Sequence, residues 1–130
     1  MSQLILISII DDDALVRRSL ERLIKSAGFA VESFGSAEDY LQFGKLTDTK
    51  ALILDMKLPG MSGLDLQSKL TTARRKTPII FISALEKLEM RTKARQAGAV
   101  AFLSKPFTDE ALLSSVHSAL ESSGAVDNRQ

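Results

Sequence analysis

Leu52-Ile53-Leu54-Asp55 runs three apolar residues straight into a carboxylate, and the run breaks at Lys57-Leu58-Pro59-Gly60. A strand buried on both faces reads as a continuous apolar stretch, and proline with glycine turns the chain. The stretch therefore predicts a central strand, residues 51–55, that delivers one acid to its carboxyl-terminal tip. A loop begins there, and the rest of the chain is read outward from that tip.

Toward the amino terminus, Leu4 to Ile10 is a second apolar run, with Ser8 inside it, and it ends in Asp11-Asp12-Asp13. Val16, Leu20, Leu23 and Ala27 follow at helical spacing, with Asp13 placed to cap that helix and Gly28 to stop it. Val31–Phe34 predicts a short strand. Ser36-Ala37-Glu38-Asp39 then opens a helix with capping spacing, which ends by Gly44. Residues 46–50 read as loop.

Toward the carboxyl terminus, Ser62 and Asp65 repeat the capping spacing, and Leu66, Leu70 and Ala73 give that helix an apolar stripe. Pro78–Ser83 predicts the fourth strand, with proline tolerated at its first position. Residues 85–97 read as an unusually polar helix ending at Gly98. Val100–Leu103 is the last strand, and Thr108 caps the last helix, with Asp109 and Glu110 set favourably against its dipole. Residues 1–122 then form one domain, and 123–130 read as a polar tail or the start of a linker. Five strands alternating with five helices predict an α/β fold, a parallel sheet covered on both faces.

The 130 residues suffice for one domain with a proper core. A net charge of +1 gives no field that favours nucleic acid or an anionic membrane. The absence of cysteine excludes disulfides, zinc fingers and thiol catalysis, and permits a reducing compartment. The longest apolar run falls far short of the ~20 residues that span a bilayer, and no signal-peptide pattern surrounds it.

In such sheets ligands bind beyond the carboxyl ends of the strands. Those ends supply Asp11, Asp12 and Asp13 from the first strand, Asp55 from the third, Ser83 from the fourth and Lys105 after the fifth. Two unit charges ~4 Å apart repel by about 4 kcal/mol at an effective dielectric near 20, so converging carboxylates require compensation. Magnesium supplies it with oxygen coordination, and lysine and serine add a cation and a donor. A carboxylate nucleophile with these neighbours suits phosphoryl transfer.

Ile10-Asp11-Asp12, Leu52–Asp55, Leu58-Pro59-Gly60-Met61-Ser62-Gly63, Ile82-Ser83-Ala84 and Phe102-Leu103-Ser104-Lys105-Pro106-Phe107 together resemble the receiver domain of two-component response regulators, over about residues 6 to 121. Asp11–Arg17 and Ala97-Gly98-Ala99-Val100 resemble the FixJ-like branch. The resemblance implies the CheY-like, flavodoxin-like strand order 2-1-3-4-5. It makes Asp55 the phosphoacceptor, assisted by Lys105 and Ser83, with Lys105 held by a cis bond to Pro106. Asp12, Asp55 and the backbone carbonyl of Lys57 would bind Mg2+, with Asp11 acting through water. Ser83 and Phe102 would be the switch, Phe102 turning inward and biasing the face made by the fourth helix, fifth strand and fifth helix.

The implied partners are a sensor histidine kinase or phosphotransfer protein, and a second copy through that face, in the cytoplasm. Control of transcription through an output domain is the implied purpose, by a domain that assists its own phosphorylation and dephosphorylation without being a turnover enzyme. Ser83 stands where threonine is frequent in the family, and Phe102 where tyrosine is. The side chain of Lys57 is placed to reach the phosphoryl group, and Leu85 has no polar group to orient a water, which predicts slow self-dephosphorylation.

Three other readings stay open. A phosphatase of the haloacid-dehalogenase kind wants a second acid two residues past the nucleophile, where Lys57 stands. A flavodoxin-like carrier needs a phosphate-welcoming first loop, where three aspartates stand. A receiver that works unphosphorylated, as a protein-binding module, fits everything but the complete acid set. His117 reads as a packed or solvated residue, Arg74-Arg75-Lys76 as a solvated basic loop, and the basic fourth helix, with Lys87, Arg91, Lys93 and Arg95, as a solvated face.

Overall fold

The computed structural model describes residues 4–84 and 88–123. Leu85 and Lys87 of the sequence reading, and the tail beyond residue 123, lie outside the described residues. The elements are β1 (Leu6–Ile10), α1 (Ala14–Ser26), β2 (Ala30–Phe34), α2 (Ala37–Phe43), β3 (Thr49–Asp55), α3 (Gly63–Thr72), β4 (Ile79–Ser83), α4 (Leu88–Gln96), β5 (Ala101–Ser104) and α5 (Asp109–Ser123). All strand pairs are parallel, in the order β2-β1-β3-β4-β5.

The apolar runs are continuous because each strand is covered on both sides. Ile7, Ile9, Ile53, Ile80 and Ile82 pack against Leu20 and Ile24 of α1 and Leu112, Val116, Ala119 and Leu120 of α5. Residues of the opposite parity, Ile10, Leu52, Leu54, Phe81 and Phe102, pack against Tyr40 of α2, Leu66 and Leu70 of α3 and Ala94 of α4. The alternation of side chains along a strand sorts one unbroken run into two cores.

Element edges differ from the sequence reading where pairing decides them. β1 starts at Leu6, which is level with Ala30 and Thr49, so Leu4 overhangs and is 66% exposed. β3 starts two residues early, at Thr49. That threonine is buried, and its hydroxyl accepts from Tyr40 at 3.0 Å and donates to the Lys45 carbonyl at 2.9 Å. α5 runs through Ser123, so the first residue assigned to the tail belongs to the helix. Asp13 caps α1, accepting from the Leu15 amide at 2.9 Å. Ser62 and Asp65 form the reciprocal capping box of α3. His117 is exposed and tilts against Phe29, with ring centroids 6.0 Å apart.

The loop after β3 is closed by Gly63 at the start of α3. Its amide donates to the Met56 carbonyl at 3.0 Å, and a Cβ built there would stand 2.6 Å from the carbonyl oxygen of Asp55. Only glycine lets the helix approach the strand tip this closely. Gly63→Ala is expected to cost ~1–3 kcal/mol in urea denaturation, as overpacking against backbone does. An unchanged midpoint would show that the loop yields freely.

Candidate functional site

The tips of β1, β3 and β4 and the segment after β5 open into one cleft of about 520 Å³, lined by Asp11, Asp12, Asp13, Asp55, Lys57, Leu58, Pro59, Ser83, Ala84 and Lys105. Every acid, donor and cation that the sequence placed at a strand end faces it. Phe102 does not line it. That ring is buried below, with its centroid 6.4 Å from that of Phe81.

Lys105 joins the acids. Its Nζ lies 2.9 Å from Asp11 Oδ2 and 3.4 Å from Asp55 Oδ2. The peptide bond between Lys105 and Pro106 is cis, as the resemblance implies. The Lys105 amide donates to the Ser83 carbonyl at 2.7 Å, fixing the segment to the end of β4. Asp11 is fully buried, and its Oδ1 accepts from the Asp13 amide at 2.9 Å, so both its oxygens are engaged. Asp12 beside it is exposed. Asp55 is 5% exposed, and its Oδ1 accepts from the Lys57 amide at 3.2 Å.

Burial and the neighbouring charge of Asp11 push the Asp55 carboxyl up to about 6, against the pull of Lys105 and the Lys57 amide. Lys105 loses by burial but gains more from its hydrogen bond to Asp11 and the charges of Asp55 and Asp11, so its ammonium is held above the ordinary lysine value.

Carboxylate oxygens of Asp11, Asp12 and Asp55 lie within 4.8 Å of one another. This donor set fits magnesium: the donors are hard oxygens, they are too many for one lysine to neutralise, and exposed Asp12 leaves one side open for the waters that the ion retains.

Two supports were not legible in the sequence. Arg17 donates from Nη1 to the Asp11 carbonyl at 2.7 Å, anchoring the acidic loop from α1. Glu38 of α2 accepts from the Met61 amide at 2.9 Å and crowds Gly60, whose φ is +74°, steadying the loop that follows Asp55. Both side chains look like ordinary surface charges in a helical pattern, and only the tertiary fold shows their main-chain partners.

The raised Asp55 value has a definite sign for stability. The folded chain binds this proton more tightly than the unfolded chain, so ionising Asp55 costs stability as pH rises from about 4 through 6. The cost at neutral pH is ~2–3 kcal/mol. With a chelator present, wild type is expected to lose stability relative to Asp55→Asn across that window, and magnesium to restore it. Parallel pH profiles for the two proteins would contradict the crowding.

A family model described as the response regulator receiver domain matches residues 7–117. Nodulation protein W of Bradyrhizobium diazoefficiens is 44% identical over 116 residues, 89% of this chain and 51% of that protein. Transcriptional regulatory protein TdiR of Thauera aromatica is 38% identical over 112 residues, 86% of this chain and 49% of that protein. The chain thus spans about half the length of these curated relatives. The solved structure of FixJ-N superposes with a TM-score of 0.81 at 34% identity, covering 93% of this chain and 96% of that one. No described helix is long and apolar enough to cross a membrane. With acids, serine and lysine gathered at the strand tips of this fold and the family model running through nearly all of it, the chain belongs to the response regulator receiver domains of two-component signalling.

Proposed function

We infer that this domain, residues 1–122, is a phosphoacceptor that takes a phosphoryl group onto Asp55 from the phosphohistidine of a sensor histidine kinase or phosphotransfer protein. The observation that carries the reading is the crowding of Asp55 and Asp11 against one lysine in a single cleft. Such an arrangement is costly as mere structure and useful for handling a dianionic group.

In this reading an Asp55 oxygen attacks phosphorus, a P–O bond forms, the P–N bond to the donor imidazole breaks, and the imidazole nitrogen recovers a proton from solvent. Asp55 is already oriented by the Lys57 amide on Oδ1. Lys105 neutralises charge on the phosphoryl oxygens, and Ser83 donates to one of them. Asp12, Asp55 and the Lys57 carbonyl would hold Mg2+, with Asp11 reaching it through water. Bound there, the ion offsets the carboxylate charge that otherwise repels phosphate. Ser83 and Phe102 connect the cleft to the face of α4, β5 and α5, the surface for a second copy or an output partner.

The relatives are about twice as long, and one carries the name of a transcriptional regulator. We assign the whole protein a cytoplasmic role in controlling transcription, with the segment after α5 as the link to an output domain. A phosphorylation-independent binding module is the second reading, and the complete acid cluster disfavours it.

Incubation with acetyl phosphate and magnesium is expected to add one phosphoryl group by intact mass. The adduct should be absent in Asp55→Asn and form ~100–1,000-fold more slowly in Lys105→Ala, the range for losing one charge-stabilising group. Continuous release of phosphate from many esters would instead indicate a phosphatase, and no adduct in wild type would favour the binding module.

A further inference from the structure

One cation outside the cleft is committed to an aromatic ring. Arg91 of α4 lays its guanidinium over Phe102, 5.2 Å from the ring centroid, and donates from Nη2 to the Phe102 carbonyl at 3.3 Å. The two contacts hold the same residue by its ring and by its main chain. On its inner side the ring meets Phe81, its register partner across β4 and β5. Phe102 is therefore clamped between the core and a charge carried by a helix, and only 5% of it is exposed.

Among the described residues α4 has few other anchors, with Met90 partly buried against the core. Ala94 is its sole fully buried residue among those described, and Gln67 of α3 donates to the Ala94 carbonyl at 3.3 Å. The guanidinium thus does two things at once: it covers the ring and ties the polar helix to the last strand. A guanidinium over an aromatic face, shielded from solvent and joined by a hydrogen bond, biases a two-position side chain by about five- to fiftyfold.

We propose that Arg91 is a positioning residue that holds Phe102 turned inward and fastens α4 to β5 through contacts requiring nothing at Asp55. The ring is then in place beforehand, and the moving part of the switch is α4 with Arg91. For its consequence in signalling this rests on the phosphoacceptor reading, but the clamp itself does not. A chain that already holds its ring inward reaches the phosphate-accepting arrangement more often, so loss of Arg91 slows acceptance.

The test uses the full chain with ring-labelled phenylalanine, the Phe102 signals being assigned from Phe102→Leu. In wild type those signals should carry the ring-current shift of Phe81 and move little on adding magnesium and beryllofluoride. In Arg91→Met they should move toward exposed-ring positions without beryllofluoride and return with it. Phosphorylation by acetyl phosphate should slow by ~3–10-fold while thermal stability stays within a few degrees. If Arg91→Met fails to fold, Arg91→Lys retains the charge without the planar face and should show the same displacement, smaller. Superimposable spectra of variant and wild type, or a wild-type ring that moves as far as the variant's, would overturn the clamp. If wild type takes no phosphoryl group, the phosphoacceptor reading fails, and the spectra without beryllofluoride still decide the role of Arg91.

Discussion

A single ammonium shared by two buried carboxylates is the constraint around which this domain is arranged. Asp11 and Lys105 are 94 residues apart in the chain and 2.9 Å apart in space. The parallel sheet makes that meeting possible by bringing the ends of β1, β3, β4 and β5 to one rim. β4 lies between the strand that ends in Asp55 and the strand that leads to Lys105, and β4 ends in Ser83. The long lysine side chain reaches from the segment after β5 to both acids.

The supports of this rim come from different layers. α1 reaches the acidic loop through Arg17, α2 reaches the next loop through Glu38, and α3 begins under Asp55 at Gly63. Each acts on the main chain. The acids are held in place largely by fixing the backbone that carries them; Oδ1 of Asp11 and of Asp55 each accept a nearby amide, and the Oδ2 atoms face Lys105. Precision in a site depends on such surrounding contacts more than on the reactive groups alone.

Much of this was legible in the chain. Apolar runs ending in acid or hydroxyl marked the strands and their tips, because strands covered on both sides admit a polar residue only where it finds a partner, as Ser8 does with Glu32 and Thr49. The order of strands came from family likeness, since the local pattern says nothing about which strand neighbours which. The start of β3 was missed because Thr49 looks like loop, and its partners Tyr40, Ser8 and the Lys45 carbonyl, which make its burial affordable, lie elsewhere in the chain. The difference between buried Asp11 and exposed Asp12 was invisible too, since neighbouring residues on a loop do not announce which points inward. Arg91 read as part of a solvated basic face, and its ring partner lies on another element.

Lys105 gives the domain an internal counter-ion. In many small metal-binding modules the ion supplies the free energy of folding, and the apo chain stays unfolded. Here the most crowded acids are tied to a cation that is one of the chain's own residues, on a sheet with two complete cores. Part of the charge compensation of these acids is therefore covalently part of the polypeptide, present as soon as the sheet brings the strand ends together.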